Sequence, residues 1–154
     1  MTTEIERKFV LAAVPDEALL GPGMRLRQGY LAEEGDVQLR VRITDTGAVL
    51  TVKAGRGLTR TEVEVAVAIE QAEELWPSTA GRRIEKVRHR VSLGDLMADV
   101  DVYRGPLAGL CTAEVEFASE ADARAFAPPP WFGRDVTAVA GWDNASLARH
   151  GRPG

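Results

Sequence analysis

Glu4-Ile5-Glu6-Arg7-Lys8-Phe9 decides the fold, because its carboxylates and lysine fall at every second position. In an extended strand Glu4, Glu6 and Lys8 share one face while Ile5 and Phe9 share the other. The same sorting returns along the chain. Arg40 and Arg42 oppose Leu39, Val41 and Ile43; Lys53 opposes Leu50 and Val52; Glu62 and Glu64 oppose Val63 and Val65. Lys86, Arg88 and Arg90 oppose Val87 and Val91, Asp99 and Asp101 oppose Val100 and Val102, and Glu114 and Glu116 oppose Val115 and Phe117. Period-2 alternation predicts strands over 4–10, 27–32, 37–43, 48–53, 60–67, 84–91, 96–103 and 112–118. Turn signals stand between them at Glu34-Gly35, Asp45-Thr46-Gly47, Gly55-Arg56-Gly57 and Gly94-Asp95.

Helices are expected over 69–77, from Ser119 onward with Asp122 at capping-box spacing, and from Asn144 to His150; Pro15–Leu20 reads as a helical turn. Pro128-Pro129-Pro130 cannot continue a helix and should stop the second one. The expected fold is mainly β (α+β): an eight-stranded antiparallel β-barrel with a few flanking helices, formed by a meander that closes on itself. Such a barrel encloses side chains or one small ligand.

The chain has 154 residues and 16.7 kDa, which suits a single domain over 1–154. Its 45% hydrophobic and 27% charged content excludes a disordered chain. A net charge of -4 and a pI near 5.3 argue against nucleic acid as partner. Apolar runs such as Val63–Ile69 are broken by charge and fall well short of the roughly 18 residues of a membrane span, so no membrane is expected. The N-terminus carries no basic-then-apolar signal segment, and the single Cys111, read as a small buried hydrophobe, fits a reducing compartment. Both point to the cytoplasm.

An apolar sheet face packed on helices and a wet charged face would account for any one of these strands. It accounts poorly for the set, because the charges come as like-sign doublets. Glu4/Glu6, Glu62/Glu64, Asp99/Asp101 and Glu114/Glu116 are acidic; Arg40/Arg42 and Arg88/Arg90 are basic. Like charges on neighbouring positions repel, so four carboxylate doublets imply bound cations. Carboxylates suit hard ions such as Mg²⁺ or Mn²⁺, and two histidines with one cysteine are too few for a zinc site. Arginine forks match phosphate oxygens bidentately. A polyanion between a basic wall and metal ions on an acidic wall follows, which is metal-assisted phosphoryl chemistry.

Glu4-Ile5-Glu6-Arg7-Lys8 matches the E-x-E-x-K signature of the CYTH superfamily, the triphosphate tunnel metalloenzymes. Gln28-Gly29-Tyr30-Leu31, Leu39-Arg40-Val41-Arg42, Leu50-Thr51-Val52-Lys53 and Arg60-Thr61-Glu62-Val63-Glu64 follow in order. Gly81–Arg88, Asp99-Val100-Asp101 and Glu114-Val115-Glu116-Phe117 complete the match, which spans essentially the whole chain. With Pro128–Gly133, the chain most resembles the short, single-domain bacterial members that hydrolyse inorganic tripolyphosphate. The resemblance implies an eight-stranded tunnel. It implies triphosphate binding by Lys8, Arg40, Arg42, Lys53, Lys86 and Arg88, and metal binding by Glu4, Glu6, Glu62, Glu64, Asp101, Glu114 and Glu116. Glu4, Glu6, Lys8, Glu114 and Glu116 would carry catalysis.

Asp99 faces the tunnel by alternation, and Arg90 reads equally well as a surface arginine. Arg25, Arg27 and Arg60 lie near these motifs but are not assigned to the site, and Tyr30 reads as core packing rather than tunnel lining. Many relatives carry bases just before the last helix; here Ala140-Gly141-Trp142-Asp143-Asn144 has none, and Trp142 is expected to pack that helix onto the barrel.

The function implied is hydrolysis of a triphosphate, with Mg²⁺ or Mn²⁺ as cofactor and inorganic tripolyphosphate as favoured substrate. A class IV adenylyl cyclase or a thiamine or nucleoside triphosphatase would share the triphosphate grip, and a cyclase would also need residues that hold a nucleoside. A non-catalytic polyphosphate- or nucleotide-binding module would tolerate loss of acids, yet every doublet is intact. Homodimerisation is compatible with so small a barrel.

Overall fold

A computed structural model describes residues 3–154. Its eight strands are β1 (Thr3–Val10), β2 (Gly23–Glu34), β3 (Val37–Ile43), β4 (Ala48–Ala54), β5 (Thr59–Val67), β6 (Arg83–Leu93), β7 (Leu96–Tyr103) and β8 (Cys111–Glu116). Helices α1 (Glu17–Leu20), α2 (Ile69–Leu75), α3 (Glu120–Ala125) and α4 (Asn144–His150) lie between and after them. The strands form a closed antiparallel barrel in the order β1-β5-β4-β3-β2-β6-β7-β8. It is not one continuous meander. β2 to β5 form one meander and β6 to β8 another; β2 pairs with β6, and β1 joins β5 to β8. Alternation tells a strand which face to bury but not which strand to lie beside.

The expected strand over 27–32 is longer at both ends because both ends find partners. Gly23–Arg25 pair with Val87–His89 of β6, and Glu33–Glu34 pair with Val37–Gln38 of β3. A bulge at Leu31 breaks the β2–β3 register, so Tyr30 pairs with Arg40 but Ala32 with Leu39. Gly29 is fixed by close approach: a Cβ there would stand 2.5 Å from Cβ of Thr79. Thr79 belongs to a 3₁₀ turn, Trp76–Thr79, which replaces the last part of the helix expected over 69–77, with Pro77 at its start.

The apolar faces turn outward, where helices and loops cover much of them, while Val52 of β4 and Val63 and Val65 of β5 stay exposed. Phe9, Val91, Val100, Ala113, Val115 and Phe117 pack with Ala123 of α3 and with Phe132. Cys111 lies buried in the same cluster, and burial pushes its thiol up to about 12. Val41, Ile43 and Ala48 pack beneath Ala72 of α2. Ser119 caps α3 by accepting from the Asp122 N–H at 3.1 Å. The third cluster closes one end of the barrel. There Val10, Ile84 and Tyr103 meet Val136, Trp142 and Leu147, so Trp142 does seat α4 against the barrel.

Candidate active site

The register brings the ionisable faces together inside. Glu4 stands opposite Arg60, Glu6 opposite Glu116, and Lys8 opposite Glu114. Lys53 pairs with Glu62 and Arg88 with Asp101, while Arg40 lies between Tyr30 and Thr51. Arg42 stands opposite Gln28, Asp99 opposite Glu114 and Asp101 opposite Thr112. The sequence-assigned bases and acids therefore face one lumen, with Glu64 and Glu116 exposed to solvent. Several are deeply buried: Lys86 and Asp101 are 0% exposed, and Arg40 5%.

A buried charge needs a partner, and most of the lumen bases have one. Lys86 donates to Asp101 Oδ2 at 2.7 Å, and Arg88 holds both Asp101 oxygens at 2.8 and 2.9 Å. Lys53 lies 3.3 Å from Glu4 and 3.6 Å from Glu62. Lys8 donates to the Trp142 carbonyl at 2.7 Å and sits 3.9 Å from Glu114. Arg40 and Arg42 differ. Among the described residues neither has a carboxylate within 4.0 Å. Among the described residues Arg40 donates to the Thr51 hydroxyl at 3.3 Å and lies beside the Tyr30 hydroxyl, and Arg42 donates to the Gln28 amide oxygen at 3.1 Å.

This crowding moves the titrations. Burial alone would raise Asp101, but Lys86 and Arg88 outweigh it and hold it at about 2. Burial lowers Lys86 to about 7 despite Asp101, and lowers Arg42 to about 10, helped by Arg40 and Arg88. Burial raises Glu62 to about 7, with a bond to Glu4 adding to it. Glu4 is held near 2, since that bond, Lys53 and Arg60 together exceed its burial. Burial and the Glu114 charge push Glu6 well above the usual carboxylate range. Glu116 and Asp99 are raised as well, first by burial.

These carboxyls bear on the metal. Among the described residues no group of three or more acid, histidine or cysteine side chains stands in ion-holding geometry. The donor set nonetheless fits a hard divalent ion. Glu4 and Glu62, and Glu6 and Glu114, stand close enough to shift one another's titration. A divalent cation held between such carboxyls would relieve their mutual repulsion. Asp101, assigned from sequence as a metal ligand, has both its oxygens engaged by Lys86 and Arg88.

Some residues outside the sequence assignment join the site. Arg60 reaches Glu4 at 3.0 Å and Glu6 at 3.2 Å inside the lumen. Its spacing from Glu62 and Glu64 was the available signal. Tyr30, expected as core packing, is buried on the lumen side beside Arg40 and lines the cavity described below. Gln28, quoted only as part of a motif, is fully buried against Arg42. Arg25 and Arg27 lie outside the lumen with Glu85 and Glu73. Arg90 reaches Asp99 at 3.4 Å from a side chain 70% exposed, so it stands at the rim.

A cavity of about 300 Å³ opens onto the lumen between the β2–β3 turn at Gly35-Asp36, the β4–β5 turn at Gly55–Gly57, and residues 136–146. Lys8, Tyr30, Arg40, Lys53 and Arg60 face it from within. The segment 140–144 therefore reaches the site through backbone and side-chain oxygens: Lys8 lies 2.7 Å from the Trp142 carbonyl and 3.4 Å from Asn144 Oδ1.

No family model matches the chain. An inorganic triphosphatase of Nitrosomonas europaea is 46% identical over 148 residues, which cover 95% of this chain and 97% of the relative. An inorganic triphosphatase of Acetivibrio thermocellus is 32% identical over 152 residues, with 97% and 96% covered. A crystal structure of an inorganic triphosphatase superposes with a TM-score of 0.71 at 42% identity, covering 100% of this chain and 99% of that one. Identity of this extent over a shared closed barrel leaves one family: the chain belongs to the inorganic triphosphatases, with the triphosphate tunnel fold.

Proposed function

We propose that the chain hydrolyses inorganic tripolyphosphate to pyrophosphate and phosphate in the barrel lumen, using Mg²⁺ or Mn²⁺. The observation that carries this reading is the pair Arg40 and Arg42. Arg40 is buried and Arg42 half-buried, and among the described residues neither has a carboxylate partner, in a lumen whose crowded carboxyls Glu6 and Glu62 are pushed above the usual carboxylate range, first by burial. One wall offers cations that no carboxylate neutralises, and the other crowds more carboxyls together than Lys53 and Arg60 can pair. The names of the two relatives support the same substrate.

In this reading Arg40 and Arg42 anchor the polyphosphate, and Lys8, Lys53, Lys86 and Arg88 extend the contact along it. Asp101 keeps Lys86 and Arg88 aimed into the lumen. Glu4, Glu6, Glu62, Glu64, Glu114 and Glu116 would hold the metal. When bound, a divalent cation supplies charge neutralisation on phosphoryl oxygens and makes water a better nucleophile. The rings nearest the cavity, Tyr30 and Trp142, are 2% and 6% exposed, so a nucleobase gains no stacking surface there. That favours the inorganic substrate over ATP or thiamine triphosphate. The acidic chain with its one buried cysteine suits the cytoplasm.

The test is phosphate release from tripolyphosphate, pyrophosphate, ATP and thiamine triphosphate with Mg²⁺ or Mn²⁺, together with a cyclic-AMP assay. Tripolyphosphate turnover should exceed the others, and a chelator should abolish it. Cyclic AMP from ATP with tripolyphosphate left intact would replace this reading with the cyclase.

A further inference from the structure

Gln28 sits on the lumen face of β2, opposite Arg42 on one side and Ile84 on the other. It is 0% exposed. Its Oε1 accepts from Arg42 Nε at 3.1 Å. A guanidinium offers donors only, so the amide oxygen must be the atom that faces it, and this fixes the orientation of the whole amide. The other end, Nε2, then carries two N–H donors with no partner among the described residues. Native interiors rarely leave such a group unpaired, and an unpaired one signals a missing acceptor.

The neighbourhood repeats the signal. Arg40 Nε is also buried without a partner. Arg40 and Arg42 have no carboxylate beside them, unlike Lys86 and Arg88 with Asp101. This part of the lumen therefore presents donors from three side chains and lacks acceptors. An amide is suited to that place. A carboxylate would orient Arg42 equally well but would neutralise it, as Asp101 does its own bases. Glutamine aims the fork, leaves its charge unspent, and adds two donors of its own.

Building on the triphosphatase reading, we propose that Gln28 is a substrate-binding residue. Its Nε2 donates to a phosphate oxygen while its Oε1 holds Arg42 in position. It completes a carboxylate-free anchor for one phosphate group.

Two variants separate this role from mere positioning. Gln28→Leu removes both functions. Gln28→Glu keeps an oxygen for Arg42 Nε but loses the donor and brings negative charge toward the phosphate. Steady-state KM and kcat for tripolyphosphate, with thermal-shift titration by tripolyphosphate, give the readout. Gln28→Leu should raise KM about tenfold, the worth of a hydrogen bond to a charged group, with a smaller change in kcat. Gln28→Glu should raise it further and lose the thermal shift. Wild-type behaviour in Gln28→Glu would reduce Gln28 to a positioning residue and overturn the proposal, as would unchanged KM in both variants. Melting curves verify folding; should Gln28→Leu not fold, Gln28→Met takes its place. A wild-type protein that neither binds nor cleaves tripolyphosphate refutes the triphosphatase reading and this inference with it; normal wild-type behaviour with silent variants refutes this inference alone.

Discussion

Asp101→Asn should be the most damaging single-atom exchange in the lumen. The side chain is wholly buried, and its two oxygens take three charge-assisted bonds of 2.7, 2.8 and 2.9 Å from Lys86 and Arg88. An amide can accept on one side only, so the exchange leaves buried cations facing N–H donors. Removing one partner of a buried ion pair costs about 3–5 kcal/mol. A chain of this length loses roughly 2–4 °C of Tm per kcal/mol, so a fall of about 10 °C is expected. The wild type carries the same information in its pH dependence. Asp101 is held at about 2, below the roughly 3.9 of an unfolded aspartate. A depressed folded pKa stabilises fully above pH ~4, and the contribution is lost as pH falls through about 2. Thermal melts of both proteins between pH 2 and 7 should converge toward the acid end. A variant melting within 2 °C of wild type at pH 7 would show that Asp101 is not what holds Lys86 and Arg88.

Arg40→Ala should raise KM for tripolyphosphate roughly 10- to 100-fold, since it deletes a charge-assisted phosphate contact worth on the order of 1.5–3 kcal/mol. It should cost little stability, because among the described residues Arg40 has no carboxylate to leave unpaired, only hydroxyl contacts; steady-state kinetics beside a melting curve check both halves. Asp143 caps α4 by accepting from the Ser146 N–H at 3.2 Å and hydroxyl at 2.6 Å, bonds that hold its carboxyl below the usual range against its burial. Asp143→Ala should therefore cost about 1 kcal/mol above pH ~4 and progressively less below it, as read by denaturant unfolding at several pH values.

How far the sequence reaches is clearest where it stops. Alternation is a local property, and it located β3 over 37–43 and β7 over 96–103 with the bounds the structure has; α4 over 144–150 was equally legible from its own short stretch of chain. It also placed every assigned charge on a common face of its strand. Strand neighbours are not local. β1 lies between β5 and β8 because residues more than fifty positions apart pair there, and no period in the sequence records that. Arg60 fell between the two cases: its face was readable from Glu62 and Glu64, but its partners Glu4 and Glu6 belong to another strand. Tyr30 stands one residue before the Leu31 bulge, where the β2–β3 register shifts, and an aromatic ring at such a point reads as core. Asp101 shows the same limit as the strand order. A carboxylate in an acidic doublet looks like a metal ligand until Lys86 and Arg88, 15 and 13 residues away, are seen to occupy it. The sequence counts charges, whereas the barrel decides which of them are already neutralised; Arg40 and Arg42 matter because that pairing passes them over.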